Sequence, residues 1–325
     1  MNKNFTYKKI FFELLRTRQI ENSISKNYKK QKMRCPVHLS IGQESIAVGV
    51  CKNLNKKDEI VTAHRSHAHY LAKGGDLKKM IAEIHGKVTG CAGGKGGSMH
   101  LIDLNVNVVA AVPIVGSTIP IGVGKAWANK LNKNKNIVVI FFGDGATEEG
   151  VFFESLDFAS LHGLRVLFVC ENNKFSVYSD IKKRQNSNRK IYKIAKSLGI
   201  KSFKIKSHDI FKIYEKTKKI IKSMKQKSLP IFLEIDTYRL VEHCGPNQDD
   251  HLNYRNLREL NLWKKKDQLK ISEKYLLKNK IIKIEEINKY KNKISNEIDE
   301  AFNFAEKSPF PKIEDLNKHI YKKLI

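Results

Sequence analysis

Two short polar motifs carry the first chemical signal. Gly143-Asp144-Gly145 and Asn172-Asn173 stand 26 residues apart, and each follows an apolar run. A carboxylate, an amide oxygen and a nearby backbone carbonyl make a hard donor set that suits Mg²⁺, with a phosphate completing the shell. Gly143 and Gly145 are expected to turn the chain tightly and bring backbone N–H groups near that phosphate. A helix starting near Gly150 would add the positive end of its dipole. Histidines give the second signal: His38, the group His64, His67 and His69 around Arg65, and His243. Imidazole can move protons or stabilise developing oxyanion charge near neutral pH.

Ligands of a parallel α/β sheet sit beyond the carboxyl ends of its strands, so both motifs must lie at strand ends. Asn136–Phe142 and Leu164–Cys170 are apolar runs of the buried-strand type, with a helix expected between them over Phe152–His162. Strand, helix and strand in that order make a parallel βαβ unit. Glu59–Thr62, Ser202–Ile205 and Ile231–Ile235 read as further strands. Ile10, Leu14, Thr17 and Ile20/Ile24 recur at helical spacing and predict a helix from Tyr7 to Gln31. Helices are also expected over Gln43–Leu54, Leu77–His85 and Gly122 to Lys130. Residues 86–98, with Gly93-Gly94 and Gly96-Gly97, cannot form a regular helix at ordinary cost and suggest backbone held close to a ligand. Beyond about residue 255 the chain becomes helical and Lys-rich. The expected organisation is one α/β body over residues 1–265, carrying a helical extension over 266–325 packed on that body.

Composition narrows the classes. The 325 residues hold 61 Lys and Arg against 33 Asp and Glu, a formal charge of +28. The excess is spread, +11 over residues 1–170 and +17 over 171–325, and 51 of the basic residues are Lys. Base readout favours Arg in a fixed fork, and no helix-turn-helix, zinc or RNA-recognition pattern accompanies the lysines. No specific nucleic-acid partner is expected. A hydrophobic share of 41% is that of an ordinary globular chain. No apolar stretch would span a bilayer and no cleavable leader opens the chain, so no membrane role and a cytoplasmic location are expected. Cys35, Cys51, Cys91, Cys170 and Cys244 are scattered, odd in number and without CxxC, as reduced thiols would be. Cys91 and Cys170 read as packing residues.

The order of the motifs is more specific than any one of them. Gly143-Asp144-Gly145 through Asn172-Asn173 resembles the diphosphate-binding motif of thiamine diphosphate enzymes. Around it, His38-Leu39 precedes Gly42-Gln43-Glu44, then His64-Arg65-Ser66-His67 and Gly94-Lys95-Gly96-Gly97-Ser98-Met99-His100. Ile114-Val115-Gly116, Pro120, Val169-Cys170-Glu171-Asn172-Asn173, Thr237-Tyr238-Arg239 and Glu242-His243 complete the series. Over roughly residues 10–265 the chain is similar to the alpha subunits of the first component of 2-oxo acid dehydrogenase complexes, of the pyruvate, acetoin and branched-chain type.

That resemblance implies an α/β thiamine diphosphate-binding fold: a mostly parallel sheet flanked by helices, with helical N- and C-terminal extensions. It implies Mg²⁺ held by Asp144, Asn173 and the backbone oxygen of Phe175. Arg65 and the backbone of Gly143, Gly145 and Ala146 would hold the diphosphate, His64 would contact the cofactor, and Val115 would approach its aminopyrimidine. His243 and His38 are implied as catalytic, near the reacting carbon or the phosphates, with His243 also touching the cofactor. The implied reaction decarboxylates a 2-oxo acid or cleaves acetoin, forms an enamine on thiamine and passes the acyl group to a lipoyl carrier on an acyltransferase component. A beta subunit would supply the pyrimidine-activating Glu in an assembly of two alpha and two beta chains, leaving this chain inactive alone.

Departures from the family pattern are local. His64 stands where a Tyr is common, Pro113 where a Gly often faces the cofactor, and Phe175 where a Tyr is common. The run Glu242-His243-Cys244-Gly245-Pro246 is nearer the acetoin-type form than the Gly-His-Ser form of many pyruvate enzymes. His67 is expected in an ordinary loop or supporting role and His69 in a structural one. The helix bearing Val151, Glu154, Ser155 and Phe158 is expected to pack on a partner subunit. Lys182, Lys183 and Arg184 read as a solvated or partner-facing stretch of a mobile loop. The alternatives are a thiamine-dependent C–C ligase or acyltransferase without a lipoyl partner, a nucleic-acid binder, and a catalytically empty assembly subunit.

Overall fold

A computed structural model describes residues 3–318; what was expected of residues 1, 2 and 319–325 lies outside the described residues. Six strands form one parallel sheet: β1 (Glu59–Ala63), β2 (Val108–Val112), β3 (Val138–Gly143), β4 (Val166–Asn172), β7 (Lys201–Ile205) and β8 (Ile231–Asp236). Their spatial order is β2-β1-β3-β4-β8-β7. β5 (Phe175–Ser176) and β6 (Ser179–Asp180) make a separate small antiparallel hairpin. The helices are α1 (Lys3–Tyr28), α2 (Glu44–Cys51), α3 (His67–Lys73), α4 (Leu77–Ile84), α5 (Thr118–Leu131) and α6 (Gly150–Leu161). There follow α7 (Ile181–Arg184), α8 (Ile191–Ser197), α9 (Ile210–Gln226), α10 (Leu257–Lys265), α11 (Gln268–Lys278) and α12 (Ile284–Lys307).

The central strands are continuous apolar runs because both faces are covered. Val139, Phe141, Leu167 and Val169 face one buried cluster, while Val138, Ile140, Val166 and Phe168 face another. This alternation is what a strand between two helical layers requires. The first cluster takes in α1, α2, α4, α9 and the later helices, through Leu276, Ile287, Ile294 and Ala301. Ion pairs lock the same layer, including Lys8–Glu286 at 2.7 Å and Arg16–Glu297 at 2.5 Å. Buried Arg18 bridges Glu44 on α2 and Asp267 beside α11.

Several elements differ from the sequence expectations. β2 was not anticipated: Val108–Val112 is short and only partly buried at the sheet edge, so its apolar signal is weak. α3 turns the His67–His69 segment into a helix rather than a loop. α5 begins at Thr118, ahead of Pro120, because proline is tolerated in the first turn where no N–H partner is required. α9 was also missed, although Ile213, Thr217, Ile220 and Met224 repeat at helical spacing and Asp209 caps its N-terminus.

Candidate active site

The carboxyl ends of β1, β2, β3 and β4 open into one cleft of about 980 Å³ including its mouth. β1 runs into His64 and Arg65, β2 into Pro113 and Val115, β3 into Asp144, and β4 into Asn173. His38 and His243 arrive from loops that are stitched together: His38 bridges Gly245, and the Gly245 N–H donates to the Val37 carbonyl at 2.8 Å. The residues the resemblance assigned to the catalytic, cofactor and metal site all line this cleft: His38, His64, Arg65, Val115, Gly143, Asp144, Gly145, Ala146, Asn173, Phe175 and His243. Asn172 does not. Its amide is buried and donates to Glu234 at 2.9 Å.

Three imidazoles converge. The ring centroids of His38, His64 and His243 lie 4.8, 5.1 and 5.4 Å apart. Burial, then the positive charge of Arg65, pushes all three toward the neutral form, His38 and His243 down to about 3 and His64 to about 2. His38 Nδ1 is buried without a partner. Behind them, Arg65 donates to the Leu39 carbonyl at 2.6 Å and the His243 carbonyl at 3.1 Å. Burial, and then Arg239, lowers the Arg65 guanidinium to about 9. Two guanidiniums flanking His243 make the floor of the cleft strongly anion-attracting. Arg239 had no role assigned from sequence; its position beside Arg65 depends on a loop contact that local pattern does not carry.

His67 and His69 lie outside this group. His67 is buried between Ser98 Oγ at 2.7 Å and Glu21. His69 rests on Phe141 and reaches Glu171 at 3.2 Å.

The Asp144 end of the cleft shows two departures from expectation. Gly143 has φ −79°, within reach of any residue, so the turn does not demand glycine there. A Cβ on Gly143 would meet nothing within 4 Å; it would project into open space at the end of β3. Nor does α6 itself line the cleft: the one-turn segment Asp144–Glu148 comes first, and its Asp144, Gly145 and Ala146 form the lining. Gly116, by contrast, needs to be glycine. Its φ is +87°, and a Cβ would stand 2.9 Å from Glu149 Cγ.

Asp144 is 1% exposed. Burial pushes its carboxyl above the ordinary range, opposed by the Arg184 guanidinium 2.6 Å from Oδ2. Arg184 also pairs with Glu148. The expectation that Arg184 belongs to a solvated stretch is therefore corrected: the β5–β6 hairpin folds it back onto Asp144. Asn173 donates to Gln43 Oε1 at 2.7 Å, while its Oδ1 accepts the Phe175 N–H at 2.9 Å and keeps a second lone pair. A buried carboxylate neutralised by a cation, an amide oxygen beside it and open space over Gly143 fit a metal-bound diphosphate.

Residues 13–314 match the profile of the family described as Dehydrogenase E1 component. The chain belongs to this family. Pyruvate dehydrogenase E1 component subunit alpha of Rickettsia bellii is 34% identical over 315 residues, 97% of this chain and 95% of its own. The mitochondrial protein of that name from Dictyostelium discoideum is 33% identical over 312 residues, 96% of this chain and 81% of its own. The chloroplastic alpha-3 form of Arabidopsis thaliana is 31% identical over 319 residues, 96% of this chain and 73% of its own. The E1 family resemblance read from the motifs thus extends beyond residues 10–265, and the six-stranded parallel sheet is the α/β fold it implied.

Proposed function

We propose that this chain is the alpha subunit of a thiamine-diphosphate-dependent, pyruvate-type 2-oxo acid dehydrogenase, working with a beta subunit and a lipoyl-bearing acyltransferase. The observation that carries the reading is the convergence of Asp144, Asn173, Arg65 and three imidazoles on one cleft at the strand ends. Overall, a 2-oxo acid and a lipoyl disulfide give CO₂ and an S-acyl dihydrolipoyl group. Thiamine diphosphate, when bound, supplies the nucleophilic ring carbon and the electron sink for decarboxylation.

This chain's residues do the holding and the proton work. Asp144, Asn173 and the Phe175 backbone oxygen would hold Mg²⁺. Arg65 and the Gly143–Ala146 turn would hold the diphosphate, with His64 and Val115 against the rest of the cofactor. His243 and His38 carry neutral nitrogens into the cleft, and an anionic ligand on Arg65 reverses one cause of their depressed basicity. They can then accept and return a proton during substrate turnover. Val115 and Ile114, 48% and 70% exposed at the mouth, leave that side for the beta subunit to cover. The scattered free thiols suit a reducing compartment, and the cytoplasm is the setting we assign.

Calorimetry of the full chain co-purified with its beta-type partner tests the reading. We expect Mg²⁺-dependent thiamine diphosphate binding by the pair, much weaker binding by either chain alone, and none after Asp144→Ala. A folded pair that binds no cofactor would sink the mechanism.

A further inference from the structure

Arg184 is far from Asp144 in sequence, but its guanidinium meets the very carboxylate assigned to the metal. Its Nη2 lies 2.6 Å from Asp144 Oδ2, and its Nη1 pairs with Glu148. It also lies over the turn that lines the cleft: a Cβ on Gly145 would stand 3.7 Å from Arg184 Nη1. A divalent ion on Asp144 would sit against this guanidinium, and like charges so close repel strongly outside bulk water, so the two compete for the carboxylate. Yet Asp144, almost wholly buried, cannot stay charged without some cation beside it.

The segment that delivers Arg184 is short and lies at the surface. α7 has four residues, none buried, and is capped by Asp180 at the end of the β5–β6 hairpin. Two non-glycine residues of this approach, Lys174 and Val177, have left-handed φ of 69° and 53°, a conformation that costs energy for such side chains. Ile181 anchors the segment at the edge of the second buried cluster, its N–H on the Lys174 carbonyl at 2.7 Å. Arg184 itself is held by its Nε on the Ser179 carbonyl at 3.2 Å, and its neighbours by Gln185 on Glu148 at 2.6 Å and Arg189 on Thr147. Release of the Arg184 side chain from these partners would free Asp144 without disturbing the sheet.

We propose that Arg184 is a resident counter-cation of the cofactor site. It neutralises Asp144 in the cofactor-free protein, and metal entry must displace it. The inference rests on the assignment of Asp144 as a metal ligand. Loading is then an exchange of one cation for another, and Glu148, the second anchor of Arg184, sets how hard that exchange is.

The test measures Mn²⁺ binding in the presence of thiamine diphosphate by electron paramagnetic resonance, together with thermal melting. The alpha–beta complex is compared as wild type, Arg184→Gln, Glu148→Gln and Asp144→Ala. We expect Arg184→Gln to bind Mn²⁺ about tenfold more tightly, since one charged hydrogen bond no longer competes. Its cofactor-free form should melt below wild type, and loading should close that gap. Glu148→Gln should move affinity the same way by a smaller factor, and it decides the matter if Arg184→Gln does not fold. Unchanged or weaker binding in both variants overturns the proposal; weaker binding would make Arg184 a phosphate ligand instead of a displaced occupant. Wild-type binding by Asp144→Ala would instead remove the metal assignment on which the proposal rests.

Discussion

His38, His64 and His243 each hold a proton less readily in the fold than in an unfolded chain, where the ordinary value is 6.5. As pH falls, the unfolded state therefore takes up protons first. Above pH ~7 the three rings contribute nothing to pH dependence. Between about 6.5 and about 3 stability declines, because protonation favours the unfolded chain. His64→Tyr, the residue common in the family at that position, removes one of the three from this balance. The melting temperature of that variant, followed from about pH 7 down to about pH 5, should fall less steeply than that of wild type. An identical slope would mean that His64 is not held neutral by its surroundings.

The glycine-rich loop of residues 86–98 owes its shape to one carboxylate. Glu83, fully buried on α4, accepts backbone N–H groups from Ala92 at 2.8 Å, Gly94 at 2.9 Å, Gly96 at 2.7 Å and Gly97 at 3.1 Å. The loop in turn places Ser98, whose hydroxyl accepts the His38 N–H and meets His67. Glu83→Ala strands four backbone donors, Gly97 buried and the other three half-buried, so denaturant unfolding should show a loss of about 3 kcal/mol or more. A loss under about 1 kcal/mol would mean that water takes over the carboxylate's role. The glycine run itself was legible in the sequence, since no helix tolerates it, but its organiser was not. Glu83 reads locally as one more polar position on an amphipathic helix. The same division holds elsewhere. β3 and β4 declared themselves as unbroken apolar runs and β8 as a run broken only by Glu234, and the order of the polar motifs gave away which ends of them matter. β2 stayed hidden because an edge strand needs little apolar burial. Arg184 stayed hidden because its meaning lies in a contact 40 residues back along the chain.

The formal charge of +28 describes the whole surface rather than the cleft. Spread lysines attract polyanions without recognising them. Binding to an arbitrary DNA duplex, read by fluorescence anisotropy, should collapse between about 50 and about 200 mM salt and show no sequence preference. Binding that survives at the higher salt and distinguishes sequences would return nucleic acid to consideration. The apolar residues left at the surface point elsewhere. Phe153 and Phe158 on α6 and Leu161 at its end, 38%, 38% and 78% exposed, mark a face suited to another subunit.

α12 packs against α4 and against α1, the first helix of the chain, and ion pairs tie α1 to it along its length. Synthesis on the ribosome runs in one direction, so Lys8, Phe12 and Arg16 on that flank of α1 emerge long before Glu286, Tyr290 and Glu297 exist to meet them. A nascent chain halted before residue 284 would leave this flank bare, a natural handle for chaperones and for the proteases that clear unfinished products.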